Sequence, residues 1–176
     1  IPDSLTHEFK TAHGRTVRDG GGITPDVTIE GHDYSRLTYS LVYSGIIQEY
    51  ALDFVRSHDS AEEDFHLADK DWDGFVAFAK TKEFDYRSSA KTYFDRMKKE
   101  LEKDGLSKNM SAELDALQKA LEMDKETFLK LKKDEIVPFI EEEIAVRYHF
   151  QEAGIKIRLR YDEQLKKALA SPMIEL

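Results

Sequence analysis

Apolar residues keep two different periods along the chain, and the change falls near Ser35. From there to Ser57, the positions Leu37, Leu41, Tyr43, Ile46, Ile47, Tyr50, Ala51, Phe54 and Val55 recur at helical spacing. That spacing predicts an amphipathic helical stretch with a broad buried face. The acidic stretch Ser60 to Asp64 interrupts it. Trp72, Phe75, Val76 and Phe78 then predict a short amphipathic helix, with Asp71 or Asp73 as its amino-terminal cap. Asp85 is placed to cap a further helix carrying Tyr86, Ala90, Tyr93, Phe94, Met97 and Leu101. Asp104-Gly105 should end it, because glycine tolerates the left-handed conformation found after helix ends.

Ser111 opens another helical face through Leu114, Leu117 and Leu121. The pattern continues over Phe128 and Leu131 until Pro138, which should kink the helix or begin a new one. Ile136, Phe139, Ile140, Ile144, Tyr148 and Phe150 form the last strong stripe, ending at Gly154. Beyond it Ile155, Ile157, Leu159 and Tyr161 alternate with Lys156, Arg158 and Arg160, the two-residue period of a short strand. Asp162 can cap a final short helix over Leu165, Ala168 and Leu169.

The residues before Ser35 read differently. Glu8-Phe9-Lys10-Thr11 and Arg15-Thr16-Val17-Arg18 are short β-prone runs joined by Ala12-His13-Gly14, which predicts a hairpin turning on Gly14. Asp19-Gly20-Gly21-Gly22 and Ile23-Thr24-Pro25-Asp26 form a loop feeding a third run, Val27-Thr28-Ile29. Three strands this poor in apolar residues cannot build a core and need a further sheet. The chain is therefore expected to be mainly α. Residues 35–176 form a helical, bundle-like region, and residues 1–34 carry a β remnant of another domain.

Composition narrows the function classes. The 176 residues carry a formal net charge of −9, which disfavours nucleic acid as a partner, since a duplex binder needs a basic face. Cysteine is absent, which excludes disulfides, thiol catalysis and thiolate metal sites. No apolar run approaches the ~20 residues of a membrane span. Ile1 opens the sequence in place of Met, so the natural amino terminus is expected elsewhere.

Several motifs suggest chemistry and lack partners. Asp69, Asp71 and Asp73 before Gly74 reproduce the opening of a calcium-binding EF-hand loop, with Val76 at its apolar position. The twelfth position, which needs a bidentate acid, is Lys80; an acidic turn capping a helix is the plainer reading. Ser88-Ser89-Ala90-Lys91 matches the S-x-x-K nucleophile pattern without the elements that accompany it. The glycine run at residues 20–22 lacks the lysine and the spacing of a phosphate loop. The histidines His7, His13, His32, His58, His66 and His149 never pair at metal-ligand spacing, although acids flank His58 and His66. Glu141-Glu142-Glu143 reads as the solvated side of the last long helix.

One segment is more specific. Phe9-Lys10-Thr11-Ala12-His13-Gly14-Arg15-Thr16-Val17, followed by Gly22-Ile23-Thr24-Pro25-Asp26-Val27, resembles a signature of the carboxy-terminal processing (tail-specific) serine proteases. In that family an aromatic residue and Thr precede Gly-Arg, and a short loop leads to Gly-Ile-x-Pro-Asp. The sequence departs from the commonest form at Ala12-His13, where Pro-Ser is usual. The expanded glycine loop resembles the branch found in Bacteroides-type bacteria. So do Trp72 with Phe75, Phe84-Asp85-Tyr86, and Glu143-Ile144-Ala145-Val146-Arg147-Tyr148.

The resemblance implies a parent endopeptidase with a Ser-Lys dyad and a PDZ domain, acting on protein substrates near their carboxy termini or in unstructured segments. Both dyad residues precede the Gly-Arg hairpin in the family, so no catalytic residue maps onto this sequence. Thr11, Gly14, Arg15, Gly22, Ile23, Pro25 and Asp26 carry over only as structural residues. No cofactor is implied. The rest of the protease and a second copy bound through the helices are the expected partners, and the periplasm or cell envelope is the expected location. The alternative is a free-standing helical adaptor with a weak calcium site.

Overall fold

The computed structural model describes residues 6–20 and 28–170, which fall into two units that part between His32 and Asp33. In the first, β1 (Glu8–Lys10) pairs antiparallel with β2 (Thr16–Arg18), so that Phe9 faces Val17 and Glu8 faces Arg18. The turn closes as predicted: Gly14 takes φ 81° and donates to the Thr11 carbonyl at 2.9 Å. The Thr11 hydroxyl accepts from the Arg15 amide at 3.2 Å. The hairpin has no core of its own, and Phe9 is 54% exposed. Thr28 and Ile29 are not in a strand, and the rest of the glycine loop, with Gly22, Ile23, Pro25, Asp26 and Val27, lies outside the described residues.

The second unit is helical, in keeping with the expected mainly α fold. The first stripe forms two helices, α1 (Arg36–Tyr43) and α2 (Ile46–Ser57). They part at Gly45, whose φ of 75° is closed to most side chains. Helix α3 (Asp69–Lys80) follows, then α4 (Ser89–Lys103), a 3-10 turn over Ser107–Met110, α5 (Ser111–Leu121) and α6 (Lys125–Leu131). The described residues finish with α7 (Lys133–Arg160) and α8 (Glu163–Ala170).

Several ends differ from expectation. Ala68 is the N-cap position of α3, so Asp71 lies in the first turn and neither it nor Asp73 is the cap. Ser88, not Asp85, caps α4: its hydroxyl accepts from the Lys91 amide at 3.0 Å, while Asp85 pairs with Arg36 and Arg87. The stripe from Ser111 to Leu131 is cut because Asp124 accepts from the Thr127 amide at 3.0 Å and starts α6. Pro138 lies inside α7, which already begins at Lys133. Asp104 and Gly105 (φ 74°) do end α4, and Asp162 does cap α8, accepting from the Leu165 amide at 2.9 Å.

The main core joins Leu37 and Leu41 of α1, Ile47 and Phe54 of α2, Trp72 and Phe75 of α3, Phe128 and Leu129 of α6, and Ile136, Ile140 and Ile144 of α7. Each such side chain contributes about 1.5–3 kcal/mol when fully buried. On α4 only Phe94 is buried, and Tyr93 and Met97 of its predicted stripe remain exposed.

Glu135 ties α7 to the start of α1. It accepts from the Ser35 amide at 2.8 Å, from the Thr38 hydroxyl at 2.9 Å and from the Lys132 ammonium at 2.6 Å. Burial alone would raise this carboxyl, yet those donors outweigh it and hold the group down to about 2. A carboxylate depressed in the folded state stabilises above its unfolded pKa and loses that contribution as pH falls through the folded one. The stability advantage of the native chain over Glu135→Gln should therefore shrink between about pH 4.5 and pH 2. Its expected size is on the order of 3 kcal/mol. Urea titrations across that range check it, and a difference that does not change with pH refutes the coupling.

Candidate functional site: a carboxylate clasp at the bend of the last long helix

Helix α7 is not straight. At Phe150 the backbone takes φ 65° and ψ −172°, and the arms on either side, 133–149 and 151–160, fold back on each other. Glu142 pairs with Arg158, sixteen positions away, which in a straight helix would lie about 24 Å apart. Ala145, Ala153 and Ile157 are buried together between the arms. Gly154 is there because nothing larger fits: a Cβ would lie 2.4 Å from a methyl of Val146. The residues from Ile155 to Tyr161 predicted as a strand thus form the second helical arm. Ile157 and Ala153 face inward at a four-residue spacing, while Ile155 and Leu159 are exposed.

Glu141 locks this bend. Its side chain is 2% exposed, so the acidic run 141–143 is not a solvated face. One oxygen accepts from the Leu67 amide at 2.8 Å. The other accepts from Arg160 at 2.9 Å and from the Tyr161 hydroxyl at 2.7 Å. Burial pushes the Tyr161 phenol up to about 12, and the carboxylate beside it adds to the rise. Taking a carboxylate out of water costs several kcal/mol, so a site of this kind stands only when its donors are in place.

The same arms strap down the loop 58–68. Arg160 donates to the Phe65 carbonyl at 3.0 Å and pairs with Asp64, and Lys156 pairs with Glu63. Tyr148 donates to the His58 carbonyl at 2.5 Å, and a His149 ring nitrogen lies 2.6 Å from the Ala61 carbonyl. The acidic stretch that broke the helical pattern is thus a belt fastened by α7. A signal for Glu141 existed in the sequence: Val137, Ala145 and Tyr148 place it on an apolar face at helical spacing. With both oxygens engaged and almost no exposure, Glu141 is built to hold structure and not to move protons for a substrate.

The family described as "Probable PDZ-protease, C-terminal helical domain" matches residues 37–171. The chain belongs to this family. No curated protein and no solved structure matches it. The helical unit is therefore the carboxy-terminal domain of a probable PDZ-protease, and the clasp lies within it.

The sequence motifs fall elsewhere in this PDZ-protease domain. Asp69, Asp71 and Asp73 are on helix α3, so the loop that would wrap a calcium ion is not formed. Asp69 pairs with Lys133 at 2.7 Å, which lowers its carboxyl below the ordinary range, and Lys80 pairs with Glu126 at 2.5 Å. Among the described residues no three His, Asp or Glu side chains gather as metal ligands. Ser88 and Lys91 line a cleft of about 160 Å³ with Tyr86, Arg87, Met123 and Phe128. There Ser88 serves as a helix cap and the Lys91 ammonium is engaged by Asp95, so serine and lysine are not joined as nucleophile and base. Of the family-motif residues, Thr11, Gly14 and Arg15 share the hairpin turn.

Two substitutions test the clasp. Glu141→Ala leaves Arg160 and Tyr161 facing a void and should lower the unfolding free energy by about 3–5 kcal/mol. The Leu67 amide should also exchange faster with solvent. Gly154→Ala should cost about 1–3 kcal/mol by overpacking, and adding Val146→Ala should recover most of it. Urea denaturation of the singles and the double reads both; equal losses with and without Val146→Ala would rule out the close approach of the arms.

Proposed function

We propose that this chain is the non-catalytic carboxy-terminal part of a serine endopeptidase of the tail-specific type. The Ser-Lys dyad and the PDZ domain lie upstream in the parent polypeptide, which cleaves proteins near their carboxy termini or in unstructured segments. One juxtaposition carries this reading. A Gly-Arg hairpin resembling the end of a tail-specific catalytic domain precedes, in the same chain, a helical domain of the PDZ-protease family. The pairing of Phe9 with Val17 on an exposed hairpin supports it, because two strands alone are marginal in water and gain by joining a larger sheet.

In this role the helices support the catalytic domain or pair with a second copy, and the parent works in the periplasm or cell envelope. The local chemistry agrees: buried charge is spent on holding loop 58–68 and α7 in place. In the parent, Thr11, Gly14 and Arg15 shape the border of the catalytic sheet.

The expected outcome is a clean division of activity. The 176-residue chain should neither cleave casein nor react with a fluorophosphonate, whereas the polypeptide extended upstream should do both. Labelling of the 176-residue chain at any serine would refute the assignment.

A further inference from the structure

The bend of α7 rests on a residue with no local reason to bend. Phe150 combines φ 65° with ψ −172°, a region that is essentially reserved for glycine. It is the one non-glycine residue with positive φ among the described residues. Its neighbours His149, Gln151, Glu152 and Ala153 are ordinary helix residues, and neither glycine nor proline occurs between Pro138 and Gly154. Helical hairpins commonly turn on glycine or a short polar loop. Here the local backbone preference is for one continuous helix, and only the contacts between the arms impose the turn.

Both demands are met if the arms part within one chain and find their contacts in another. We infer that two copies of this chain dimerise by exchanging the segment that follows Phe150. In the exchanged dimer α7 runs straight for about 42 Å, and each 151–160 arm packs on the other copy's 133–149 arm and 58–68 loop. Every contact that closes the bend is remade: Glu142 with Arg158, Glu141 with Arg160 and Tyr161, Lys156 with Glu63, and Gly154 against Val146. The strained conformation is lost twice per dimer. Phe150, 80% exposed in the closed chain, sits at the hinge beside the two-fold axis, where it meets its own symmetry mate. Short strained hinges of this kind favour exchange. The inference rests on the pairing of copies proposed above and names the segment that carries it; it does not depend on peptidase activity.

Charge reversal distinguishes exchange from any other pairing. In Glu142→Lys and in Arg158→Glu, the closed chain and the homodimer both set like charges against each other. In an exchanged heterodimer of the two, each arm meets an opposite charge. The variants, one of them tagged, are unfolded in urea, refolded together and read by sedimentation and by tag capture. At equal mixing chance makes heterodimers half of all dimers; a ratio of heterodimer to both homodimers together of at least about three to one is expected. Phe150→Gly relieves the strain in the closed form and should weaken dimerisation about tenfold or more, whereas Phe150→Ala keeps the strain and should not. A dimer indifferent to these changes overturns the exchange but leaves pairing of copies intact. Monomers at every concentration overturn both, while leaving the endopeptidase reading untouched.

Discussion

A carboxylate withdrawn from water must be given donors by the fold, and that requirement organises the carboxy-terminal half of this chain. Glu141 sits on the apolar face of α7 and is answered from three directions: a backbone amide of the 58–68 loop, a guanidinium and a phenol from the second arm. None of these donors is near it in sequence. The loop and the returning arm must both be in position for the charge to be tolerated, so the three segments are ordered together or not at all. Arg160 extends the coupling, because it also reaches the Phe65 carbonyl and Asp64.

The return of the second arm works against the backbone. A phenylalanine in a glycine-type conformation costs on the order of 1–3 kcal/mol, and it persists only where the surroundings over-determine it. Small residues make that possible here. Ala145, Ala153 and Gly154 let the arms approach closely, and Ile157 fills the space between them. The helical domain therefore holds opposed local and tertiary preferences at one residue, Phe150. Its remaining packing is ordinary by comparison, with Trp72, Phe75 and the isoleucines of α7 forming a continuous core.

Membership of the PDZ-protease family fits a domain whose charged groups are used for support. Glu135, a partly buried acid with several donors, fastens α1 to α7 just after the division between the two units. The serine and lysine that suggest catalysis on paper cap a helix and pair with Asp95. The aspartates that suggest calcium lie along a helix and form no loop that could wrap an ion. In each case short-range spacing matched a motif, while the loop backbone or the side-chain pairing that the motif needs was absent.

Local signals account for what was legible in the sequence. Helical periodicity predicted the mainly α class and the buried faces of α1, α2, α3 and α7, since core burial selects apolar residues every three to four positions. Gly14, Gly105 and Asp162 marked a turn, a helix end and a cap for equally local steric and hydrogen-bonding reasons. The hairpin and the family resemblance were readable for the same cause. Where several residues could cap a helix, as Asp85 and Ser88 could, the choice depended on which acid was already taken by Arg36. Tertiary structure alone decided the bend at Phe150, the donors that answer Glu141 and the helical state of residues 155–160. Those features depend on groups sixteen to nearly one hundred residues apart, and against them the local preferences of Phe150 and of the alternating run Ile155–Tyr161 point the other way.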